Sequence, residues 1–176
     1  MPVYLIRHPQ PAISADICYG QSDIPLAGPV APLLDNLRAQ LPGHYRLISS
    51  PLQRCAELAR ALQAQVIFEP RLKELDFGCW EQQPWMSLGA KTLDAWIASG
   101  FSGEIHGGES ATAFQQRIFA WCAEQHQHDE PLVVVTHAGV IRTILGHVHG
   151  WPLLRAMNHP LDFASVTRLD KQDLPR

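Results

Sequence analysis

The chain of 176 residues carries 14 lysines and arginines against 17 aspartates and glutamates, a formal charge of −3. That length predicts one domain spanning 1–176, and the near-balance of charge excludes the basic stripe of a nucleic-acid or membrane-surface protein. Apolar residues make up 46 % and charged ones 18 %, which excludes a disordered chain and leaves nine histidines as the unusual entry.

In chain order, Val3–Ile6 is a nearly continuous apolar run, the pattern of a strand buried on both faces. It is too short for a signal h-region and ends at Arg7, so no targeting segment is expected. Pro9–Val30 reads as a long loop, with prolines at 9, 11, 25 and 29 and another just after it at 32. Leu33, Leu34, Leu37 and Leu41 fall on one helical face. Arg46–Ser49 is a strand, and Ser50-Pro51-Leu52-Gln53 predicts a helix start: Ser50 as N-cap, Pro51 first in the helix, Gln53 closing a capping box. That helix carries Leu52, Cys55, Ala56, Ala59 and Leu62 at a 3.6 period. Val66–Glu69 is a further strand and Asp76–Met86 a second long loop. Ser110 is placed to cap a helix bearing Phe114, Ile118, Trp121 and Cys122. Leu132–Thr136 is a second doubly buried strand, followed by a helix with Val140, Ile141, Ile144, Leu145 and Val148, and Phe163–Leu169 is the last strand. Strands alternating with helices predict a layered α/β fold with a mostly parallel sheet.

Several chemistries are excluded. No GxxxxGK[ST] is present, no cysteine is followed six positions later by an arginine, and Gly20-Gln21-Ser22 does not continue into GxSxG. Cys18, Cys55, Cys79 and Cys122 form no CxxC pair, so reduced thiols and a cytoplasmic location are expected. No apolar run approaches the roughly 18 residues of a membrane span. His126-x-His128 and His147-x-His149 lie in predicted helices, where i and i+2 do not face each other, so no metal and no cofactor are expected.

Ligands of open α/β sheets bind beyond the carboxyl ends of the strands. Arg7-His8 follows the first strand, His137-Ala138-Gly139 follows Leu132–Thr136, and Arg54 ends the first turn of the helix after Arg46–Ser49. Two histidines and two arginines thus collect at one sheet edge, beside helix N-termini whose free N–H groups favour negative charge. Arginine forks match phosphate oxygens, so the set points to a small anion site.

Leu5-Ile6-Arg7-His8, Ser49-Ser50-Pro51-Leu52-Gln53-Arg54, Leu72-Lys73-Glu74, Phe77-Gly78, Trp80-Glu81, Gly107-Gly108-Glu109-Ser110 and Val135-Thr136-His137-Ala138-Gly139 stand in an order that resembles the histidine phosphatase superfamily. The resemblance implies the three-layer α/β/α phosphoglycerate-mutase-like fold, with residues 71–110 as an insertion bordering the active site. It implies a phosphohistidine mechanism: His8 as nucleophile, Arg7, Arg54 and His137 holding the phosphoryl oxygens, and Glu74 as general acid. Asp76 is the neighbouring alternative, because i and i+2 share a face in an extended segment. His137 is expected to be protonated beside phosphate, since a unit charge at ~4 Å with an effective dielectric of ~20 contributes ~4 kcal/mol. Ser14, Tyr19, Gly20, Gln21 and Ala138 complete the implied phosphate- and substrate-binding set.

Within the superfamily, Tyr19-Gly20-Gln21-Ser22-Asp23, with Pro25-Leu26, is similar to the α-ribazole-5′-phosphate phosphatases of cobalamin assembly. Trp80, Trp85 and Trp96 would suit a flat apolar base there, or simply pack in the core. Pro9 and Pro11 depart from the family's Gly and Thr, and Pro9 removes a backbone N–H from the phosphate loop. Ser14 stands where a phosphate-binding Asn is common, and Gln82 replaces a usual Gly. The implied partner is a small phosphate ester, with no nucleic acid and no membrane, and a homodimer is left open. Three activities follow from this pattern: an α-ribazole-5′-phosphate phosphatase, a broad phosphatase or phosphoglycerate mutase-like enzyme, and a non-catalytic binder of phospho-ligands.

Overall fold

The computed structural model describes residues 1–176. Its centre is a five-stranded sheet of order β3-β2-β4-β1-β5, made of β1 (Pro2–Arg7), β2 (Arg46–Ser49), β3 (Ile67–Phe68), β4 (Leu132–Thr136) and β5 (Val166–Asp170). The first four strands are parallel, and β5 runs antiparallel to β1. Every residue of β4 is buried, as expected of a parallel strand covered on both faces. The period of two separates two cores. Val3, Leu5, Ile48, Leu132 and Val134 face one side, while Ile6, Leu47, Val133 and Val135 face the other.

Helices cover both sides. α1 (Ala31–Gln40) and α2 (Gln53–Leu62) pack on the second face through Leu37, Cys55, Leu58 and Ala59. α4 (Ala111–Gln125) and α5 (Ala138–His149) pack on the first through Ile118, Trp121, Ile141 and Ile144. The chain therefore has the three-layer α/β/α architecture expected of it. Two short helices escape the periodicity argument: α3 (Ala90–Ala98) and α6 (Leu153–Met157). Each is too short to repeat an apolar stripe over several turns.

Three boundaries differ from expectation. α2 starts at Gln53 rather than Pro51, and its first N–H is capped from afar by Asp23 Oδ1 at 2.6 Å. β3 is reduced to two edge residues, Ile67 and Phe68, both exposed. The last strand starts at Val166, because Ala164 has a φ of +57° and breaks the extended run that Phe163 would have begun. Ser110 does cap α4, accepting from Ala113 N at 3.1 Å. His126 is the C-cap of α4 and His128 lies beyond it, so a helical spacing argument does not apply to that pair. His126 instead bonds the Leu174 carbonyl, and no group of three or more His, Cys, Asp or Glu side chains gathers as metal ligands. No helix is long and apolar enough to cross a membrane.

The Pro9–Val30 segment has no helix but is held as a ribbon. Pro11 bridges Leu26, Ala12 N donates to the Pro25 carbonyl and Ala27 N to the Gln10 carbonyl. In denaturant titrations, Leu5→Ala at the fully buried centre of β1 should cost about 2–5 kcal/mol, and Ile67→Ala on the half-exposed edge under about 1 kcal/mol.

Candidate active site

Register explains why the two histidines meet. Arg7 pairs with Thr136 across β1 and β4, so His8 and His137 are the next residues on adjacent parallel strands. His8 N donates to the Thr136 carbonyl at 2.9 Å, and the two rings lie 5.1 Å apart. β2 ends beside them: Ser49 pairs with Val135, and Ser50 N donates to the Val135 carbonyl. The Ser50 hydroxyl thereby reaches His137 Nε2 at 2.8 Å, with Cys55 Sγ 3.4 Å from the same nitrogen. This hydroxyl lies 3.4 Å from Leu52 N, and no side chain of that turn caps α2.

His8 Nδ1 donates to the Pro9 carbonyl at 2.7 Å, which leaves Nε2 as the ring's free lone pair. Proline at position 9 lacks an N–H but still supplies this carbonyl. Burial, with Arg54 and Arg7 nearby, pulls His8 from the usual 6.5 down to about 3. His137 has no exposed surface and is likewise held well below its ordinary value, by burial first and then by His8 and the neighbouring guanidiniums. Burial and the neighbouring cations thus oppose the protonated His137 expected beside phosphate. Two neutral imidazoles sit among cations, and an anion is what would change that balance.

Arg54 is fully buried and spends its fork on the carbonyls of Ser22, at 2.7 Å, and Gly20, at 2.6 Å. Arg7 donates to the Leu161 carbonyl and lies 3.8 Å from the centre of the Phe163 ring. The Nε–H groups of both arginines are buried without a partner. Such orphaned donors are uncommon in folded proteins and cost free energy unless something accepts from them.

Glu74 arrives on an irregular segment after the 3-10 turn Pro70–Leu72, pinned to the sheet where Thr136 Oγ1 donates to the Leu72 carbonyl at 2.8 Å. Its carboxylate accepts from Leu75 N at 3.0 Å and from Gly139 N at 3.1 Å, at the N-terminus of α5. A Cβ at position 139 would collide with Glu74 Oε1, so the Gly after Ala138 is a matter of space.

A cavity of about 670 Å³ opens from this edge. Arg7, His8, Tyr19, Gly20, Glu74 and Ala138 line it, whereas the fully buried Arg54 and His137 lie behind its wall. Tyr19 stands between, its ring centre 5.1 Å from the Arg54 guanidinium carbon. Ser14 is exposed, hydrogen-bonded to Asp16 and outside the cavity. Gln21 also faces away, donating to the Glu74 carbonyl at 3.0 Å and lining a separate polar cleft with Asp76. Asp76 Oδ1 accepts from Gly78 N at 2.8 Å, which keeps it from the Glu74 side. Trp85 and Trp96 line the cavity, but Trp80 is core behind them, 5.4 Å from the Trp96 ring.

Sequence reasoning missed four residues. Arg142 lines the cavity one helical turn beyond Ala138, its Nε on the His159 carbonyl at 2.9 Å; the i+4 spacing was readable. Trp151 lines the far end. Phe163 covers both His8 and Arg7, and no local pattern marks it. Glu81 organises the Gly20–Ser22 turn by accepting from Gln21 N at 2.7 Å, the Ser22 hydroxyl and Phe77 N.

Comparison with known proteins gives one family throughout. Residues 3–173 match the model of the histidine phosphatase superfamily (branch 1). The chain is 31 % identical over 189 residues to the "Probable phosphoglycerate mutase GpmB" of Proteus mirabilis, covering 99 % of this chain and 87 % of that one. An α-ribazole phosphatase from Shigella flexneri superposes with a TM-score of 0.81 at 27 % identity, over 97 % of this chain and 90 % of that one. A phosphoglycerate mutase from Thermus thermophilus superposes with a TM-score of 0.75 at 26 % identity, over 97 % and 93 %.

The buried imidazoles make stability depend on pH. Their folded pKa values lie below the unfolded 6.5, so the unfolded chain binds more protons as pH falls through 6.5, down to about 3 for His8. Stability is full above that window and declines within it, by up to about 1.4 kcal/mol per pH unit for each histidine. The urea midpoint should fall between about pH 7.5 and about pH 5, above the carboxylate range, and His137→Gln should flatten the slope.

Proposed function

Because the chain belongs to the histidine phosphatase superfamily, branch 1, we propose that it is a phosphomonoesterase working through a phosphohistidine at His8, without a metal. The observation that carries this reading is the convergence of Arg7, His8 and Glu74 on one cavity, with Arg54 and the His137 ring directly behind its wall. A phosphoryl group at this edge would accept from Arg7 and be stabilised by the charge of Arg54 behind the wall, and phosphoryl transfer needs little beyond alignment and charge stabilisation. His8 Nε2 attacks phosphorus as the P–O ester bond breaks, and the Glu74 carboxyl gives its proton to the departing alkoxide oxygen. Water then attacks the phosphohistidine, its proton passes to the Glu74 carboxylate, and inorganic phosphate and neutral His8 are regenerated. With a dianion at His8, a proton taken up from solvent is favoured on the His137 ring, whose Nε2 lies 2.8 Å from the Ser50 hydroxyl.

The preferred substrate is α-ribazole-5′-phosphate. Beyond Glu74 the cavity is walled by Phe77, Trp85, Trp96, Phe101, Phe114 and Trp151, with Arg142 its cation on that side. Aromatic walls suit a flat base better than a short, highly charged acid. The solved α-ribazole phosphatase among the similar structures supports the same choice. A phosphoglycerate substrate is the second reading, favoured by the relative named as a mutase. Three of the four cysteines are buried and none is paired, which supports a reducing, cytoplasmic setting.

The test is hydrolysis of α-ribazole phosphate, phosphoglycerates and sugar phosphates in chelator. Turnover should be highest on α-ribazole phosphate, with an acid-labile phosphoenzyme, and His8→Ala should lose more than about a thousandfold. Retained turnover in His8→Ala, or ligand binding without hydrolysis in the parent chain, overturns the mechanism. Preference for phosphoglycerates overturns the substrate.

A further inference from the structure

Glu74 lies in a stretch, Lys73–Phe77, that belongs to no helix and no strand. No backbone ladder holds it, yet the reading above asks its carboxyl group to meet one oxygen of a bound ester within hydrogen-bond reach. A loose segment would serve poorly, because an error of about 1 Å in such a group can cost about a hundredfold.

The support comes from outside the cavity. Arg117, near the middle of α4, sends its guanidinium under this segment. Its Nη1 donates to the carbonyls of Arg71 and of Lys73, the latter at 2.9 Å, and its Nη2 donates to the carbonyl of Glu74 itself at 2.9 Å. The same group is gripped by Glu109, through Nε–Oε1 at 2.7 Å and Nη2–Oε2 at 2.9 Å. Both side chains are largely buried, at 19 % and 15 % exposure, so this pair is little screened by water. Glu109 is itself fixed, because its N–H donates to the Asp76 carbonyl at 2.8 Å. A Cβ at the preceding Gly108 would collide with that same Asp76 carbonyl, so the close approach needs glycine. One planar fork therefore ties two carbonyls of the irregular segment, and one of the 3-10 turn before it, to a rigid helix, a task a point-charge lysine cannot reproduce.

We propose that Arg117, oriented by Glu109, is a positioning residue for Glu74: it sets the backbone from which the carboxyl group reaches the leaving oxygen. Neither residue lines the cavity with His8; both border the separate polar cleft on the other side of the segment. The inference rests on the general-acid reading of Glu74, and the experiment separates the two.

A general acid matters for a poor leaving group and little for a good one. The measurement is kcat/KM on glycerol phosphate and on para-nitrophenyl phosphate, since this parameter covers the steps up to departure of the alcohol. Glu74→Gln tests the reading itself: a loss confined to glycerol phosphate upholds it, and equal loss on both overturns it. With that in hand, Arg117→Met should lower kcat/KM on glycerol phosphate by about ten- to a hundredfold and on para-nitrophenyl phosphate by less than about threefold. Arg117→Lys should recover only part of the loss, and Glu109→Gln should show the same selectivity with a smaller amplitude. These two milder variants, with their unfolding midpoints measured alongside, decide the matter if Arg117→Met does not fold. Equal losses on both substrates, or no loss on glycerol phosphate, in variants that remain folded overturn the proposal.

Discussion

The parallel pairing of β1 with β4 is the constraint on which the rest of this molecule depends. Arg7 opposite Thr136 makes His8 and His137 neighbours, although they stand far apart in the chain. β2 joins β4 on its other side and delivers Ser50 to His137. A slip of one residue in either pairing would turn every side chain to the opposite face. The two cores forbid that slip, since Leu5 and Val134 are buried on one side and Ile6 and Val135 on the other. Packing of ordinary aliphatic residues thus sets the geometry of the polar edge.

That edge is held at a cost. His8, Arg54 and His137 are buried where water would otherwise solvate them, and two guanidinium N–H groups go without acceptors. Burial favours the neutral form of both imidazoles, so the positive charge at this edge resides on the arginines. Arg54 is partly satisfied by the carbonyls of Gly20 and Ser22, a turn that Glu81 organises from a distant segment. The long proline-rich loop therefore provides acceptors for a buried arginine. Pro9 and Pro11 are absorbed locally: Pro9 lends a carbonyl to His8, and Pro11 bridges Leu26.

The stretch leading into α4 is built on a different principle. Residues 71–110 contain one α-helix and several 3-10 turns, with few ladders between them. Side chains replace the missing backbone pairing. Arg117 and Gln21 bond the carbonyl of Glu74, Thr136 bonds that of Leu72, and an aromatic group of Phe77, Trp80, Trp96 and Phe101 fills the space beneath. The same segment forms the cavity wall through Phe77, Trp85, Trp96 and Phe101, so its substrate-facing surface and its core are one body.

The chain order of apolar runs determined the three layers and the buried parallel strands, because burial on two faces leaves a local, readable pattern in Val3–Ile6 and Leu132–Thr136. The histidines and arginines at strand ends were legible for the same reason: they follow those runs closely. Ser14 and Gln21 lie outside the cavity lining, since a loop's side-chain directions depend on the partners it finds, here Asp16 and the Glu74 carbonyl. Phe163, Glu81 and the true start of α2 at Gln53, capped by Asp23 from the first loop, left no local trace. Only the tertiary structure decided that Arg54 and His137 lie behind the cavity wall and that the neutral form of His137 is favoured, because burial and the spacing of charges are properties of the packed chain and not of any segment.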